Sequence, residues 1–158
     1  MKKNILFAIV AASGVIIDRI TKFLVTSNFS LGESFPLWPG VFHFTYVINT
    51  GAAFSVFTDG VAWLRWLSLL VSLGLIAFAW FGPKLSKIEQ LGYGLILAGA
   101  LGNGIDRFAF GYVIDFLDFT LINFPVFNIA DVCINIGIIF LLIATFRPSV
   151  ASKKLDRE

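Results

Sequence analysis

An acidic residue inside a long apolar stretch constrains this chain more than any other sequence feature. Residues 126–146 are otherwise apolar and about twenty residues long, which is the length of a helix that crosses a bilayer. Asp131 lies five residues inside that stretch. A charged side chain at the centre of a span costs roughly 2.5–3.5 kcal/mol on insertion scales. We therefore expect Asp131 to be a functional group that faces a polar interior.

The composition predicts an integral membrane protein. Of the 158 residues, 58% are hydrophobic and 14% are charged, which is too apolar for a water-soluble domain of this size. Apolar runs near residues 5–25, 61–81, 91–108 and 126–146 predict an all-α membrane domain of four transmembrane helices over residues 1–158.

The first apolar run could be mistaken for a cleaved signal peptide. It follows two lysines and contains small residues at positions 11–13 that could form a cleavage site. Apolar residues continue through Ile17, past any such site, which favours a full membrane span.

The charged residues predict the orientation in the membrane. With four crossings, eight of the twelve Lys and Arg residues fall on one side, which the positive-inside rule assigns to the cytoplasm. Both termini are then cytoplasmic, and residues 147–158 form a cytoplasmic tail. Trp63 and Trp66 would mark the outer interface and Trp80 the inner one. Seven of the ten acidic residues gather toward the outer face: Asp18, Glu33, Asp59, Asp106, Asp115, Asp118 and Asp131.

Two outer segments connect these helices. Residues 26–60 are too long for a simple connection and contain Pro and Gly turn signals, so we expect a folded loop. Within it, residues 41–49 are rich in β-branched and aromatic side chains, which predicts a strand. Residues 106–125 form a second outer loop that brings Asp115 near the mouth of the bundle. We therefore expect a small β-containing extramembrane unit that rests on the bilayer interface.

Asp115 and Asp131 can form a carboxylate pair if the second outer loop folds back over the bundle. Two carboxyl groups that share a site cannot easily ionise together, so one holds a proton while the other deprotonates a water molecule. Peptide hydrolysis without a metal or a covalent nucleophile requires this combination. An acidic loop residue is often merely solvated, which stays an alternative for Asp115 and is our interpretation of Asp118.

The first helix carries a second polar pair. Asp18 and Lys22 are four residues apart, so they share a helix face and can form an ion pair of structural or functional significance. Alternatively, Lys22 could serve as a base for Ser27 or Ser30, although both serines fall beyond the predicted helix.

Two glycine-containing polar segments offer further candidates. Asn103 and Arg107 share a face at the end of the third helix, and Asp106 can neutralise Arg107 as a surface ion pair or orient its neighbours. Asn49 ends the predicted strand and Gly51 follows it. Small residues there either let a peptide substrate add along a strand edge or form a tight turn.

Metal chemistry has little support in the sequence. His43 is the single histidine and no Cys–His spacing suits zinc, so we predict no metal site and no cofactor. Carboxylates could still bind magnesium, which keeps a metal-dependent lipid phosphatase or phosphotransferase as an alternative. The single cysteine, Cys133, cannot form an internal disulfide, and we interpret it as a small packing residue.

Five short segments that span nearly the whole chain resemble the lipoprotein signal peptidase family (signal peptidase II), aspartic proteases of the bacterial inner membrane. They are DRITK at 18–22, NTGAAF at 49–54, GNGIDR at 102–107, GYVIDF at 111–116 and NIAD at 128–131. The resemblance implies a catalytic pair at Asp115 and Asp131. Arg19 departs from the family pattern, in which this position is commonly glutamine, and the departure affects the contacts of Asp18. The implied supporting residues are Asp18, Lys22, Asn49, Gly51, Asn103, Asp106, Arg107 and Asn128.

The same resemblance implies a function. The protein would cleave the peptide bond just before a diacylglyceryl-modified cysteine of a prolipoprotein, with one aspartate as base and the other as acid. The implied partners are lipid-modified prolipoproteins, bilayer lipids and globomycin-type inhibitors. We expect a monomer that binds no nucleic acid.

Two other classes of protein compete with a protease. A proton-coupled transporter also buries aspartates, but its ionisable groups should reach the bilayer midplane and often accompany internal repeats, neither of which this sequence contains. A structural membrane subunit has no need for carboxylates that converge from separate segments. We therefore favour an intramembrane aspartic endopeptidase.

Overall fold

Four long helices and a small sheet make up the fold. The computed structural model describes residues 4–51 and 61–146. The helices are α1 (Ile5–Asn28), α2 (Val61–Phe81), α3 (Lys87–Ala109) and α4 (Ile129–Phe146). The strands are β1 (Ser34–Trp38), β2 (Phe42–Asn49) and β3 (Val113–Asp118), and a short 3-10 turn, Thr120–Ile122, follows β3. The predicted fold class, mostly helical with a small β-containing unit, is confirmed at this level. The predicted tail at 147–158 lies outside the described residues.

The helices carry their apolar side chains on the outside. Leu70 of α2 and Ile139 of α4 are 69% and 54% exposed, whereas the buried positions of α3 are mostly glycine, alanine and polar residues. Among the described residues, Trp63–Phe81 and Ile129–Phe146 are each long and apolar enough to cross a membrane. The total of four membrane spans stays a prediction.

Helix α3 lies at the centre of the fold and packs against each of the other three helices. Its contact with α4 depends on glycine, because a Cβ atom at Gly99 would collide with the carbonyl oxygen of Ala130 and with the side chain of Ile134. The two backbones therefore approach closely at the start of α4. Cys133 of α4 is buried against α1. Its sulfur lies 3.5 Å from the position that a Cβ atom of Gly14 would occupy, as expected for a packing residue.

Buried polar side chains join the helix ends that lie away from the sheet. The Oε1 atom of Gln90 in α3 accepts a hydrogen bond from the backbone N–H of Leu6 at 3.1 Å, so a residue of another helix satisfies the first turn of α1. Asn4 accepts from the N–H of Leu85 at 3.0 Å and donates to the carbonyl oxygen of Ala79 at 2.9 Å. These bonds hold the start of α1 against the connection between α2 and α3.

The sheet has the order β1-β2-β3, with antiparallel neighbours. The strand predicted at 41–49 is confirmed as β2. The prediction of a loop throughout 106–125 is wrong, because α3 continues to Ala109 and β3 then pairs with β2. Gly111, with φ of +79°, makes the turn between these two elements.

Helix α4 begins at Ile129, three residues after the start predicted from the apolar run. The preceding chain is held in an extended conformation by β3: the N–H of Leu117 donates to the carbonyl of Phe127 at 2.8 Å, and the N–H of Phe127 donates back to Leu117 at 3.0 Å. Asp131 therefore lies in the first turn of α4 and not five residues inside a helix. The carboxylate is at the end of the helix, where an ionised group is less costly than in its middle.

Candidate active site

Backbone pairing with β2 fixes the position of Asp115, the third residue of β3. Its Cα lies opposite Val47, where the register of the two strands shifts in the manner of a β-bulge, a feature that redirects side chains. The residue is 1% exposed. Its Oδ1 accepts from Asn128 Nδ2 at 2.6 Å and its Oδ2 accepts from Asn49 Nδ2 at 3.0 Å.

Asp115 is poised to exchange a proton near neutral pH. Burial raises the pKa of Asp115 from 3.8 to about 7, and the neighbouring charge of Asp131 adds to the rise. Hydrogen bonds from Asn49 and Asn128 and the charge of Lys22 act in the opposite direction. A carboxyl group with this pKa suits acid–base chemistry at physiological pH.

Asp131 and Asn128 cap α4 reciprocally. The Oδ1 atom of Asn128 accepts from the N–H of Asp131 at 3.0 Å, and the Oδ2 atom of Asp131 accepts from the N–H of Asn128 at 3.2 Å. This is the geometry of a capping box, formed here by Asn and Asp. The sequence pattern Asn-x-x-Asp before an apolar run is the signal for this helix start.

Two asparagines link the carboxylates. Asn103 Oδ1 accepts from Lys22 Nζ at 3.1 Å and from Asn128 Nδ2 at 3.0 Å, while Asn103 Nδ2 donates to Asp131 Oδ1 at 2.8 Å. Because Asn128 also donates to Asp115, the two aspartates belong to one network. The predicted meeting of these aspartates is confirmed as geometry, and their catalytic role stays a prediction.

Beside this network lies a buried ionic cluster made of Asp18, Arg19, Lys22 and Asp106. Lys22 Nζ lies 3.1 Å from Asp18 Oδ2 and 2.7 Å from Asp106 Oδ2, which confirms the predicted Asp18–Lys22 pair. Arg19 Nη2 lies 3.2 Å from Asp18 Oδ2 and 2.6 Å from Asp106 Oδ1. Two carboxylates thus face two cations, which compensates the loss of hydration on burial.

Each carboxylate of the ionic cluster also accepts a hydrogen bond from the backbone. Asp18 Oδ1 accepts from the N–H of Ala130 at 3.1 Å, and Asp106 Oδ2 accepts from the N–H of Ile114 at 3.2 Å. Ala130 and Ile114 directly precede the two predicted catalytic aspartates. The cluster therefore ties α1 and α3 to the backbone segments that carry the carboxylate pair.

Of the two alternatives for Asp106, the structure agrees with orientation of its neighbours and not with a surface ion pair to Arg107. Consecutive residues of a helix point about 100° apart, and Asp106 turns into the ionic cluster. Arg107 instead donates to the carbonyl oxygen of Gly51 at 3.2 Å and to Ser68 Oγ at 3.5 Å. The N–H of Gly51 donates to Asn49 Oδ1 at 2.9 Å, which agrees with the tight-turn alternative for residues 49–51, and the rest of this segment lies outside the described residues.

Two further sequence interpretations are not supported by the structure. Lys22 directs its three donor hydrogens at acceptors of the site, so it is not oriented as a base for Ser27 or Ser30. Asp118 is half-buried and accepts from Thr45 Oγ1 at 2.7 Å, so it is not merely solvated.

A pair of tyrosines that the sequence analysis did not single out lies near the ionic cluster. The phenol groups of Tyr46 and Tyr112 lie close enough to interact. Burial raises the pKa of Tyr46, and Tyr112 and Asp106 raise it further, so this phenol stays neutral. The available signal was the position of Tyr112 directly after Gly111, where the chain returns toward the site.

A cavity of about 980 Å³ opens beside the carboxylate pair. It joins a polar wall to an apolar one, which suits an amphipathic ligand. Within residues 4–51 and 61–146, no group of His, Cys, Asp and Glu is arranged to hold a metal ion. The polar wall includes Asn49, Asn103, Arg107, Asp115 and Asp131, and the apolar wall includes Phe119, Ile122, Phe124, Val132 and Ile134.

Known proteins resemble this chain over almost its entire length. A family model described as signal peptidase (SPase) II matches residues 10–147. A lipoprotein signal peptidase of Microcystis aeruginosa is 70% identical over 146 residues, which cover 92% of this chain and 94% of that protein. Another from Synechocystis sp. is 63% identical over 157 residues, which cover 99% of this chain and 96% of that protein.

Solved structures show the same fold. Two bacterial membrane enzymes determined by the in meso method superpose with TM-scores of 0.79 and 0.80 at 29% and 31% sequence identity. The first match covers 96% of this chain and 91% of the other, and the second covers 90% and 94%. Since the family model, the sequence relatives and the fold all agree, the chain belongs to the signal peptidase II family of peptidases.

Proposed function

We propose that this protein removes signal peptides from prolipoproteins by hydrolysing the peptide bond just before a diacylglyceryl-modified cysteine. Its relatives are lipoprotein signal peptidases, which supports this substrate class. The observation that carries the catalytic assignment is the pair of buried carboxylates, Asp115 and Asp131. Both line one cavity, and Asn128 contacts both of them.

The two carboxyl groups take different roles in this mechanism. We assign the proton to Asp115, because burial and the neighbouring charge of Asp131 together raise its pKa to about 7. Asp131 is the base, because it lies at a helix N-terminus and accepts from Asn103 and from the N–H of Asn128. The same contacts orient the carboxylate oxygen atoms of Asp131 to accept a proton from water.

The reaction then proceeds in two balanced steps. Asp131 takes a proton from water as the water oxygen bonds to the scissile carbonyl carbon, and Asp115 gives its proton to the carbonyl oxygen. In the second step the C–N bond breaks. Asp131 returns its proton to the leaving amine while a hydroxyl proton passes back to Asp115, so the products are a carboxylic acid and a free amine.

The cavity supports recognition of a peptide that is anchored by lipid. Its polar wall carries the dyad, and its apolar wall includes side chains of α4, a helix apolar enough to lie in a membrane. A lipid-anchored cysteine would keep its acyl chains in the bilayer and present the adjacent peptide bond at the polar wall. Globomycin-type inhibitors would compete for the same cavity.

The proposal includes a membrane topology. All four helices cross the bacterial inner membrane, both termini are cytoplasmic, and the sheet with the active site faces outward. One chain supplies both aspartates, so a monomer is sufficient for the proposed reaction.

Substitution of the dyad tests the proposed function. Purified protein in detergent should cleave a synthetic diacylglyceryl lipopeptide, and Asp115→Asn or Asp131→Asn should each abolish cleavage, because an amide cannot transfer the required proton. The double variant should lose little more, since the pair acts as a unit. Asp118→Asn is the matched control: it removes a half-buried carboxylate from the same strand as Asp115 and should retain activity.

Substantial turnover by either single variant would remove the dyad from the mechanism. Activity should survive excess EDTA, whereas complete loss that magnesium restores would favour a metal-dependent phosphatase or phosphotransferase. A matched peptide without the diacylglyceryl group should be cut far more slowly, and equal rates would contradict the proposed substrate.

A further inference from the structure

We propose that Arg19 is a positioning residue for this hydrolysis. Its charge completes the ionic cluster, and the complete cluster keeps Asn103 and Asn128 oriented toward Asp131 and Asp115. The inference rests on the proposed function of Asp115 and Asp131. It concerns a residue that lies outside the predicted catalytic pair and outside the supporting residues implied by the resemblance.

Arg19 occupies the accessible side of the ionic cluster. Its side chain is 29% exposed, whereas the side chains of Asp18 and Asp106 are fully buried and that of Lys22 is 1% exposed. The Nη2 atom of Arg19 bridges the two carboxylates. Those same carboxylates hold the N–H groups of Ala130 and Ile114 through their remaining acceptor sites.

The charge of Arg19 determines what Lys22 can do. With Arg19 present, two carboxylates face two cations, and Lys22 can share its ammonium between the carboxylates and the amide oxygen of Asn103. Without that charge, Lys22 alone must offset two buried carboxylates. Lys22 would then be attracted more strongly to the two carboxylates, and its hydrogen bond to Asn103 Oδ1 would weaken. That hydrogen bond orients the side-chain amide of Asn103, whose NH₂ group donates to Asp131.

Arg19 acts at a distance from the substrate in this proposal. The residues that line the cavity include Asn103 and Arg107 but not Arg19. Loss of Arg19 should therefore misalign the groups that carry out the chemical step without removing a contact to the substrate. We expect a lower kcat with KM nearly unchanged.

A change in pH dependence provides a second readout. The charged and titratable groups around the carboxylate pair come from every neighbouring element: Asp18, Arg19 and Lys22 of α1, Asp106 and Arg107 of α3, Cys133 of α4, Tyr46 of β2, and Tyr112 before β3. Removing the charge of Arg19 makes this surrounding field more negative, which favours protonated carboxyl groups. The pH–activity profile should therefore move to higher pH.

The experiment compares Arg19→Gln and Arg19→Lys with the wild-type protein in the lipopeptide assay. Arg19→Gln keeps an amide donor but removes the charge. We expect it to lower kcat roughly tenfold, since small misplacements of catalytic groups are costly, and to shift the profile upward by about half a pH unit. Arg19→Lys retains the charge and should restore both quantities toward wild type. Arg65→Gln is the matched control, a half-buried arginine of α2 outside the ionic cluster, and should leave kcat and the profile unchanged.

The outcomes separate this inference from the proposed function. Failure of folded wild-type protein to cleave any lipopeptide would overturn the proposed function. Cleavage by wild type together with an unchanged kcat and pH profile in Arg19→Gln would overturn the role of Arg19 alone. Should Arg19→Gln fail to fold, Arg19→Lys decides: a folded Lys variant with a wild-type profile supports the inference, and a folded Lys variant with a tenfold lower kcat contradicts it.

Discussion

The side-chain amide of Asn103 donates to Asp131 at 2.8 Å, and a lysine fixes its orientation. Lys22 and Asn128 both donate to the Oδ1 atom of Asn103, so the NH₂ group of that amide must be the part that faces Asp131. A buried ammonium group thereby determines how a neutral side chain presents itself to a carboxylate.

Replacing Asn103 with aspartate should lower kcat roughly 100-fold, because a carboxylate of the same size cannot donate to Asp131 and repels it. Asn28→Asp is the control, since Asn28 is exposed at the end of α1 and its amide donates to the carbonyl of Leu24. Steady-state lipopeptide cleavage measures both variants. A kcat of Asn103→Asp within twofold of wild type would contradict this role.

Catalytic efficiency should fall as the pH rises above about 7. The free protein needs a protonated Asp115, and its pKa is raised to about 7 by burial and by the charge of Asp131. Above that value the dyad carries no acid to protonate the carbonyl oxygen. A profile of kcat/KM against pH tests this, and a rate that keeps rising through pH 9 would assign the proton elsewhere.

Asp115 should also make the folded state less stable at high pH. The pKa of Asp115 is raised on folding from 3.8 to about 7, so the folded state binds this proton more tightly than the unfolded state. The resulting contribution to the free energy of unfolding is complete below about pH 4 and is lost as the pH rises through about 7. The shift corresponds to roughly 4 kcal/mol. Thermal unfolding in detergent at pH 5 and pH 8 should show a larger loss of Tm for wild type than for Asp115→Asn. Equal losses would refute this linkage.

The contact between α3 and α4 should not tolerate a methyl group at Gly99. Gly99→Ala forces the added Cβ against Ala130 and Ile134 and should cost about 1–3 kcal/mol of stability. Gly74→Ala is the matched control, because a Cβ there meets nothing within 4 Å, and alanine favours a helix by up to about 1 kcal/mol. Thermal midpoints in detergent compare the two variants. A stable Gly99→Ala protein would mean that the helices can separate here without loss.

Cysteine labelling tests the proposed topology. In a Cys133→Ser background, an impermeant thiol reagent added to intact cells should label a cysteine at Glu33 and not one at Lys87. Both positions are exposed in the structure, so accessibility within the fold does not bias the comparison. Labelling at Lys87 alone would invert the orientation.

Local sequence patterns predicted the parts of the structure that depend on nearby residues. The apolar runs predicted the helices, the β-branched and aromatic run predicted β2, and the spacing of four residues predicted the Asp18–Lys22 pair. Each depends on periodicity within one element. The start of α4 differed because Phe127 pairs with Leu117, and this contact decides where the extended chain ends.

The remaining site contacts join residues that are far apart in sequence. Asp106 lies beside Arg107 in the chain, yet its partners come from α1, 84 and 87 positions earlier. Helix periodicity alone does not reveal which helix lies opposite that face. Similarly, the strand at β3 has β-branched residues Val113 and Ile114, but two interspersed aspartates weaken the pattern until β2 is placed beside it.

The first and last helices are each completed by a side chain from elsewhere in the chain. Gln90 of α3 satisfies the start of α1 from 84 residues away, and Asp18 of α1 satisfies the start of α4 from 112 residues away. Unpaired backbone groups are costly in an apolar environment. The hydrogen bonds at the start of α1 are therefore complete only when α3 is packed against it, and those at the start of α4 only when α1 is in place. A chain cut short after α2 would leave the N–H groups of Leu6 and Phe7 without their acceptor on Gln90.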